Sequence, residues 1–334
     1  MSQQKTYWHL LQQKRMPTEY EIVTSKLLCY TGEGFTGKRF ELDVPLKDWY
    51  RRYQEESPLV CSSWEKFRDP RETTYTKYTD LQRQKEIFVD GILEEIDLTG
   101  YDAHLRPAWL HIFPRVVAPF RYPGHGFQMV ASYIGQMAPS GRITIAAALQ
   151  SADEMRRIQR IAYRIRQLQH IYPGFAADSK TLWETDSPWQ PLREVVERLL
   201  VTYDWAESFV GLNVVVKPLV DELFMKYLSD FALGEDDYLL GQVFYSLNED
   251  CQWHRQWTQC LVRMAIEDNV RNKDTIQRWI NQWYPLAVRA VRTFASLLED
   301  TLQKTGTPLP QQIGEAIDRY YRDFLRSIDL EPAW

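Results

Sequence analysis

The chain has 334 residues, 44% of them hydrophobic, enough to bury a substantial core as one large domain or two. A formal net charge of −5 and an isoelectric point near 5.8 argue against a protein whose task is neutralising nucleic-acid phosphates. No run approaches the ~20 apolar residues of a membrane span, and the first stretch, "MSQQKTYWHLLQQKR", lacks the apolar centre of a signal peptide. Cys29, Cys61, Cys251 and Cys260 show no CxxC or other metal spacing, so a reduced cytoplasmic protein with no nucleic-acid and no membrane partner is expected.

Residues 1–70 are rich in breakers (Pro17, Gly32, Gly34, Gly37, Pro45, Pro58, Pro70) and predict an extended N-terminal arm. Within it "GEGFTGK", residues 32–38, has the glycines of a dinucleotide loop. Such a loop needs a helix directly after it, so that free amides meet the pyrophosphate. Here "KRFELDVP" follows, alternating Phe40, Leu42 and Val44 with charged residues before Pro45, which is a strand pattern. The glycines are therefore read as the turn of a β-hairpin; a nucleotide loop would instead predict saturable NADH or ATP binding by this chain. The arm also holds Tyr7, Trp8, Tyr20, Trp49 and Trp64 in a chain with 12 Trp, 19 Tyr and 14 Phe. Trp and Tyr are favoured where an apolar body and a polar tip are both used, so these five are candidates for a subunit interface. Packing on the chain's own helices is the alternative.

From residue 71 the apolar period becomes helical. "TYTKYTDLQRQKEIFVDGILEEI" places Tyr78, Leu81, Ile87, Leu93 and Ile96 at helix-compatible spacings, and prolines 107, 114, 119 and 123 divide the next segment. "GHGFQMVASYIGQMAP" predicts a helix ended by Pro139, and a long one from Ser140 to His170 carries Ile158, Ile161, Ile165 and Leu168 on one stripe. Ser187 and Pro188 make a helix start whose three-four pattern continues to a kink at Pro218. Further helices are predicted over 236–267, 273–303 and 311–327. Several helices of 25 residues or more predict an all-α protein: residues 71–305 a helical bundle and 306–334 a C-terminal helix and tail.

Long antiparallel helices that bury polar side chains suggest the ferritin-like carboxylate bundles, which hold iron with Glu-x-x-His pairs whose i, i+3 spacing puts both ligands on one face. No glutamate stands three residues before any of the six histidines. Two stretches come near. "SADEMRR" gives Glu154-x-x-Arg157, with arginine, which stays protonated, in the histidine's place. A capping box of Ser151 with Glu154, or a solvated charged face, is the simpler reading. "NEDCQWH" gives Asp250 and His254, four apart, which can simply pair with each other. Asp204 and Glu207 are lone carboxylates. Arg156, Arg160 and Arg164 recur every fourth residue opposite the isoleucines, as an ordinary solvated or partner-facing face would show.

Taken together, "TYWHL", "PTEYEIV", "WEKFRDP", "YTKYTDLQRQKEIFVDGI", "QMAPSGRIT", "QSADEMRR", "AYRIRQL", "WQPLREVVE", "YDWAESFVGLNVVVKP" and "WHRQWTQCLVRMAIED" span residues 6–300 in order. In them the chain resembles the β subunit of the hydroxylase in bacterial multicomponent monooxygenases, the toluene and alkene group. The resemblance implies a metal-free ferritin-like bundle that performs no chemistry. It also implies a catalytic α subunit carrying a carboxylate-bridged diiron centre and the substrate pocket, and a hydroxylase with two copies each of α, β and γ. Electrons would come from NADH through a reductase with FAD and Fe–S centres and a Rieske ferredoxin, under a small effector protein. The substrate would be a toluene-like aromatic or a small alkene. By the same similarity "DEMRR" and "EDCQWH" fall where the catalytic subunit has its two ligand pairs, and Glu207 matches another ligand position. A metal-free bundle must fill that centre, so Glu154, Arg157, Glu207, Asp250 and His254, or most of them, are expected to form a polar network. The rival is a self-sufficient diiron oxidase using Glu154, Glu207, Asp250 and His254. The glycine hairpin is not a pattern of the family, and the tail after 305 resembles nothing else.

Overall fold

The computed structural model describes residues 15–25, 45–305 and 312–332. Among these residues every regular element is helical. The stretch "GEGFTGK", with its expected hairpin, lies outside the described residues, as do Tyr7 and Trp8. The part of the arm that is described includes two short helices. Helix α1 (Glu19–Thr24) starts in a capping box, where Thr18 Oγ1 accepts from the Glu21 amide and the Glu21 carboxylate accepts from the Thr18 amide. Helix α2 (Pro45–Tyr50) continues through wide turns to Glu55.

Helix α3 (Tyr75–Thr99) is capped by Thr74 and stopped by Gly100 in the left-handed conformation (φ +65°). Helix α4 (Pro107–Ile112) leads through irregular turns over 113–120 into α5 (Arg121–Met137), and Ser140 caps α6 (Gly141–Ile171). The three-residue connection makes α5 and α6 an antiparallel pair. Helices α7 (Ser179–Thr185) and α8 (Gln190–Leu200) follow.

Ser187 and Pro188 open only a single tight turn before α8, and the helix does not run on to Pro218. It stops at Leu200 because Asp204 restarts the chain as an N-cap, accepting from the Ala206 and Glu207 amides at 3.0 and 2.9 Å. The restarted helix comprises α9 (Trp205–Phe209), α10 (Lys217–Asp221) and α11 (Leu228–Gly234), joined by wide π-type turns over Val210–Val216 and Glu222–Tyr227. Proline has no amide to donate, so widened turns on either side of Pro218 re-register the hydrogen bonds. Helix α12 (Tyr238–Asp268) is capped by Asp237; α13 (Arg271–Thr305) packs on α8, and α14 (Ile313–Ser327) packs on α13 and α10.

The buried face of α3 keeps Tyr78 and Leu93 of the predicted stripe but not Leu81 and Ile87. Leu81 and Ile87 are exposed, whereas Val89 and Leu93 are buried in line with half-buried Tyr78 and Lys85. That face meets α12 and the arginine row of α6. Arg156, Arg160 and Arg164 accordingly form the inner seam of the bundle: Arg156 pairs with Glu86 and Asp250, Arg160 with Glu86 and Asp90, and Arg164 with Asp102 and Asp237. A polar stripe on α3 thus covers a polar stripe on α6, which apolar periodicity alone could not signal.

Candidate functional site

The three middle helices bring polar and charged side chains into the same small volume. From α6 come Glu154 and Arg157, three apart on one face; from α10 come Lys217 and Asp221, four apart; from α12 come Cys251 and His254, again three apart. All six are buried, Glu154 completely. Arg157 Nη1 lies 3.1 Å from Glu154 and 3.0 Å from Asp221, and its Nη2 donates to Cys251 Sγ at 2.8 Å. The Lys217 ammonium donates to Glu154 and stands 3.0 Å from Asp221. Two carboxylates are therefore shared between two cations. The formal charge balances inside the cluster, the condition under which buried ions are tolerated.

One turn to either side the bundle is polar as well. Gln150 and Asn213 exchange side-chain amide hydrogen bonds at 2.9 and 3.0 Å, and Trp257 Nε1 donates to Gln150 at 3.1 Å. Further along α6, Arg164 grips Asp102 with two bonds of 2.7 and 2.8 Å while Trp109 Nε1 donates to Asp237.

The predicted five residues divide accordingly. Glu154, Arg157 and His254 enter the centre. Asp250, one turn before His254 on α12, lies at the edge of the centre, where it accepts from Arg156, Lys85 and Gln82, and Gln82 also donates to Asp153. It does not pair with His254, whose Nε2 lies 2.9 Å from Asp153. Glu207 is removed from the centre and accepts from Trp283 Nε1 and Gln282. Nor do Ser151 and Glu154 form a capping box: both lie inside α6, and Ser151 bonds Gln128 and Ser132 instead. Sequence reasoning missed Lys217, Asp221 and Cys251. The first two sit beside Pro218 in a stretch read only for its kink. Cys251-x-x-His254 has the ligand spacing, contrary to the expectation that no cysteine stands at a metal spacing.

The electrostatics keep Asp221 ionised and leave Cys251 and His254 neutral. Burial would raise the Asp221 carboxyl, but Lys217 and Arg157 outweigh it and hold it at about 2. Burial pushes the Cys251 thiol up to about 12 even with Arg157 alongside. Burial, with Lys217 and Arg157 adding repulsion, holds the His254 imidazole well below its usual range. Asp153 moves the other way, raised by burial and by nearby Asp250.

Asp221, Cys251 and His254 offer one ligand atom each within 4.8 Å of one another. A dicationic metal there would face Arg157 and Lys217, each already seated on the carboxylates it would need. The residues do not fit a diiron centre. The four proposed for a self-sufficient oxidase, Glu154, Glu207, Asp250 and His254, do not converge on any common point.

The described aromatics of the arm lie against this chain. Tyr20 is buried and its hydroxyl accepts from the Asp69 amide at 3.0 Å, so it does not face outward. Trp49 is half-buried, donates to the Tyr133 hydroxyl at 3.1 Å and stacks edge-on with Tyr203; Trp64 meets Trp205 edge-on at 5.0 Å.

A sequence model of the Methane/Phenol/Alkene Hydroxylase family matches residues 49–269, which contain all three helices of the charged centre. The chain belongs to this family. It is 35% identical over 300 residues to the hydroxylase component subunit beta of the toluene-4-monooxygenase system of Ectopseudomonas mendocina, covering 89% of this chain and 91% of the relative. It is 26% identical to the hydroxylase component small subunit of propane 2-monooxygenase from Rhodococcus jostii strain RHA1, over 83% and 77% of the two chains. Its structure superposes on a chain from toluene 4-monooxygenase with toluene bound in the resting active site at a TM-score of 0.82 and 36% identity, covering 88% and 97%. A chain of phenol hydroxylase from Pseudomonas sp. OX1 also gives a TM-score of 0.82, at 18% identity, and shares the fold. Within the family's ferritin-like bundle this member carries a lysine and an arginine between its central carboxylates.

Proposed function

We propose that this chain is the non-catalytic β subunit of a multicomponent monooxygenase hydroxylase that inserts one oxygen atom of O2 into a toluene-like aromatic or a small alkene, at the expense of NADH. The observation that carries this reading is the filling of the bundle centre by Arg157 and Lys217, which uses up Glu154 and Asp221 as counter-ions and leaves no open ligand set. Resemblance to the toluene-4-monooxygenase β subunit over most of both chains supports the same role. The diiron centre and substrate pocket belong to a companion α subunit; a γ subunit and a second β complete the hydroxylase. A Rieske ferredoxin and an FAD- and Fe–S-containing reductase deliver electrons, and a small effector protein controls the cycle. The whole works in the cytoplasm; among the described residues no helix is long and apolar enough to cross a membrane.

Two measurements on the purified full-length chain test this. Iron loading followed by metal analysis is expected to leave only trace iron, and hydrocarbon hydroxylation is expected only after companion chains are added. Stoichiometric iron, or turnover by the single polypeptide with a reductant, would overturn the reading.

A further inference from the structure

The outer side of α12 carries a second cation, Arg255, with a different fate from Arg157. It stands one helical turn beyond Cys251, its guanidinium over the Tyr320 ring of α14 at 5.7 Å from the centroid. Its Nη2 makes one long bond, 3.4 Å, to Asn248 Oδ1, while Nη1 is shielded from solvent and has no acceptor. Among the described residues no carboxylate lies within ion-pair reach of it. The centre cannot supply one, because Glu154 and Asp221 are already balanced by Arg157 and Lys217. A shielded guanidinium nitrogen without an acceptor carries a cost that an acceptor brought to Arg255 would lower.

Arg255 lines a cleft of about 380 Å³ between α12 and α14. Other groups of that cleft can donate as well. The Tyr320 hydroxyl has no hydrogen bond among the described residues. Gln256 has its carbonyl engaged by Arg71 at 2.8 Å, which leaves its NH2 group to donate. Gln252 is exposed on the rim. The one acid, Asp323, is turned to Arg326 at 3.3 Å. Donors around a guanidinium that has no direct ion-pair partner, with Asp221 and Glu222 acting on it only through space, favour an anion with two acceptor oxygens, and the flat guanidinium fork matches a carboxylate.

We propose that the α12–α14 cleft is a carboxylate-binding site centred on Arg255. The carboxylate comes either from a small free acid or from a side chain or C-terminus of a companion subunit; only the second source rests on the β-subunit role.

Calorimetry of the full-length chain with sodium succinate and with inorganic phosphate, at matched ionic strength, tests the first source. Saturable succinate binding that weakens tenfold or more in Arg255→Met and in Arg255→Lys, with phosphate weaker, supports a free acid. The second source is tested by measuring the affinity of the chain for its co-expressed companion subunits. A tenfold or greater loss in Arg255→Met with succinate inert, and competition by added succinate absent, supports a subunit carboxylate. Tyr320→Phe and Gln252→Leu, milder changes on the same cleft, keep the test informative if Arg255→Met lowers the melting temperature. Phosphate binding more tightly than succinate overturns the proposal. So does the absence of succinate binding combined with unchanged assembly in all the variants. A chain that binds succinate but assembles with nothing would sink the subunit role and leave the site standing.

Discussion

Arg157 is the residue on which the chemistry of the centre turns. Its guanidinium reaches Glu154, Asp221 and Cys251 at once and lies over the Phe120 ring. Removing one partner from a buried ionic group leaves uncompensated charge, so Arg157→Leu is expected to cost about 3–5 kcal/mol, read by urea unfolding. A loss below 1 kcal/mol would show that water already reaches the cluster. The Asp153–His254 pair makes a pH-dependent prediction. His254 is held below its ordinary value of 6.5, so by itself it favours folding above that pH and loses this contribution as acid protonates the unfolded chain. Asp153 is raised above its ordinary 3.8, so it takes up a proton on folding, and its contribution grows as pH falls toward that value. The two oppose each other between about pH 6.5 and 4. Asp153→Asn removes the opposing half while keeping a hydrogen-bonding side chain beside Nε2. The variant is expected to lose stability on acidification through that window more steeply than the parent, by up to about 1.4 kcal/mol per pH unit. Parallel pH–stability curves would refute the assignment.

At the scale of elements, close helix packing is visible at particular glycines. A side-chain carbon at Gly126 of α5 would strike Val196 Cγ1 of α8, whereas at Gly91 of α3 it would meet nothing within 4 Å. Gly126→Ala is therefore expected to destabilise by about 1–3 kcal/mol through overpacking. Gly91→Ala, in a helical position with open space, is expected to stabilise by about 0.5–1 kcal/mol through lower unfolded-state entropy. Thermal melts of the two variants shifting in opposite directions would check both. Most helices could be read in advance: the predicted Ser140–His170 became Gly141–Ile171, and 311–327 became Ile313–Ser327. Where the reading failed, a polar device had replaced an apolar one. The Asp204 cap broke a continuous three-four pattern, and α3 half-buried Lys85 while exposing Leu81 and Ile87.

At the scale of the whole molecule, the centre implies that few changes separate this bundle from a metal site. Arg157→His, Cys251→Glu and Lys217→Leu together restore a Glu-x-x-His spacing on both α6 and α12 and withdraw both internal cations. The triple variant is expected to bind cobalt(II) with visible d–d absorption, and the parent to show none. A folded triple variant that binds no more than the parent would mean the backbone has moved too far for ligation. The sequence by itself determined that the chain is helical, where its long helices run, and that the glutamate–histidine pairs of an iron site are missing; those follow from local period and residue type. It also marked Glu154, Arg157 and His254. Only the tertiary structure decided that Asp250 and Glu207 stay outside the centre, and that Lys217, Asp221 and Cys251 complete it. Charge compensation joins residues more than sixty positions apart, and which carboxylate meets which cation depends on helix rotation and on the π-type turns around Pro218, neither of which leaves a period in the sequence.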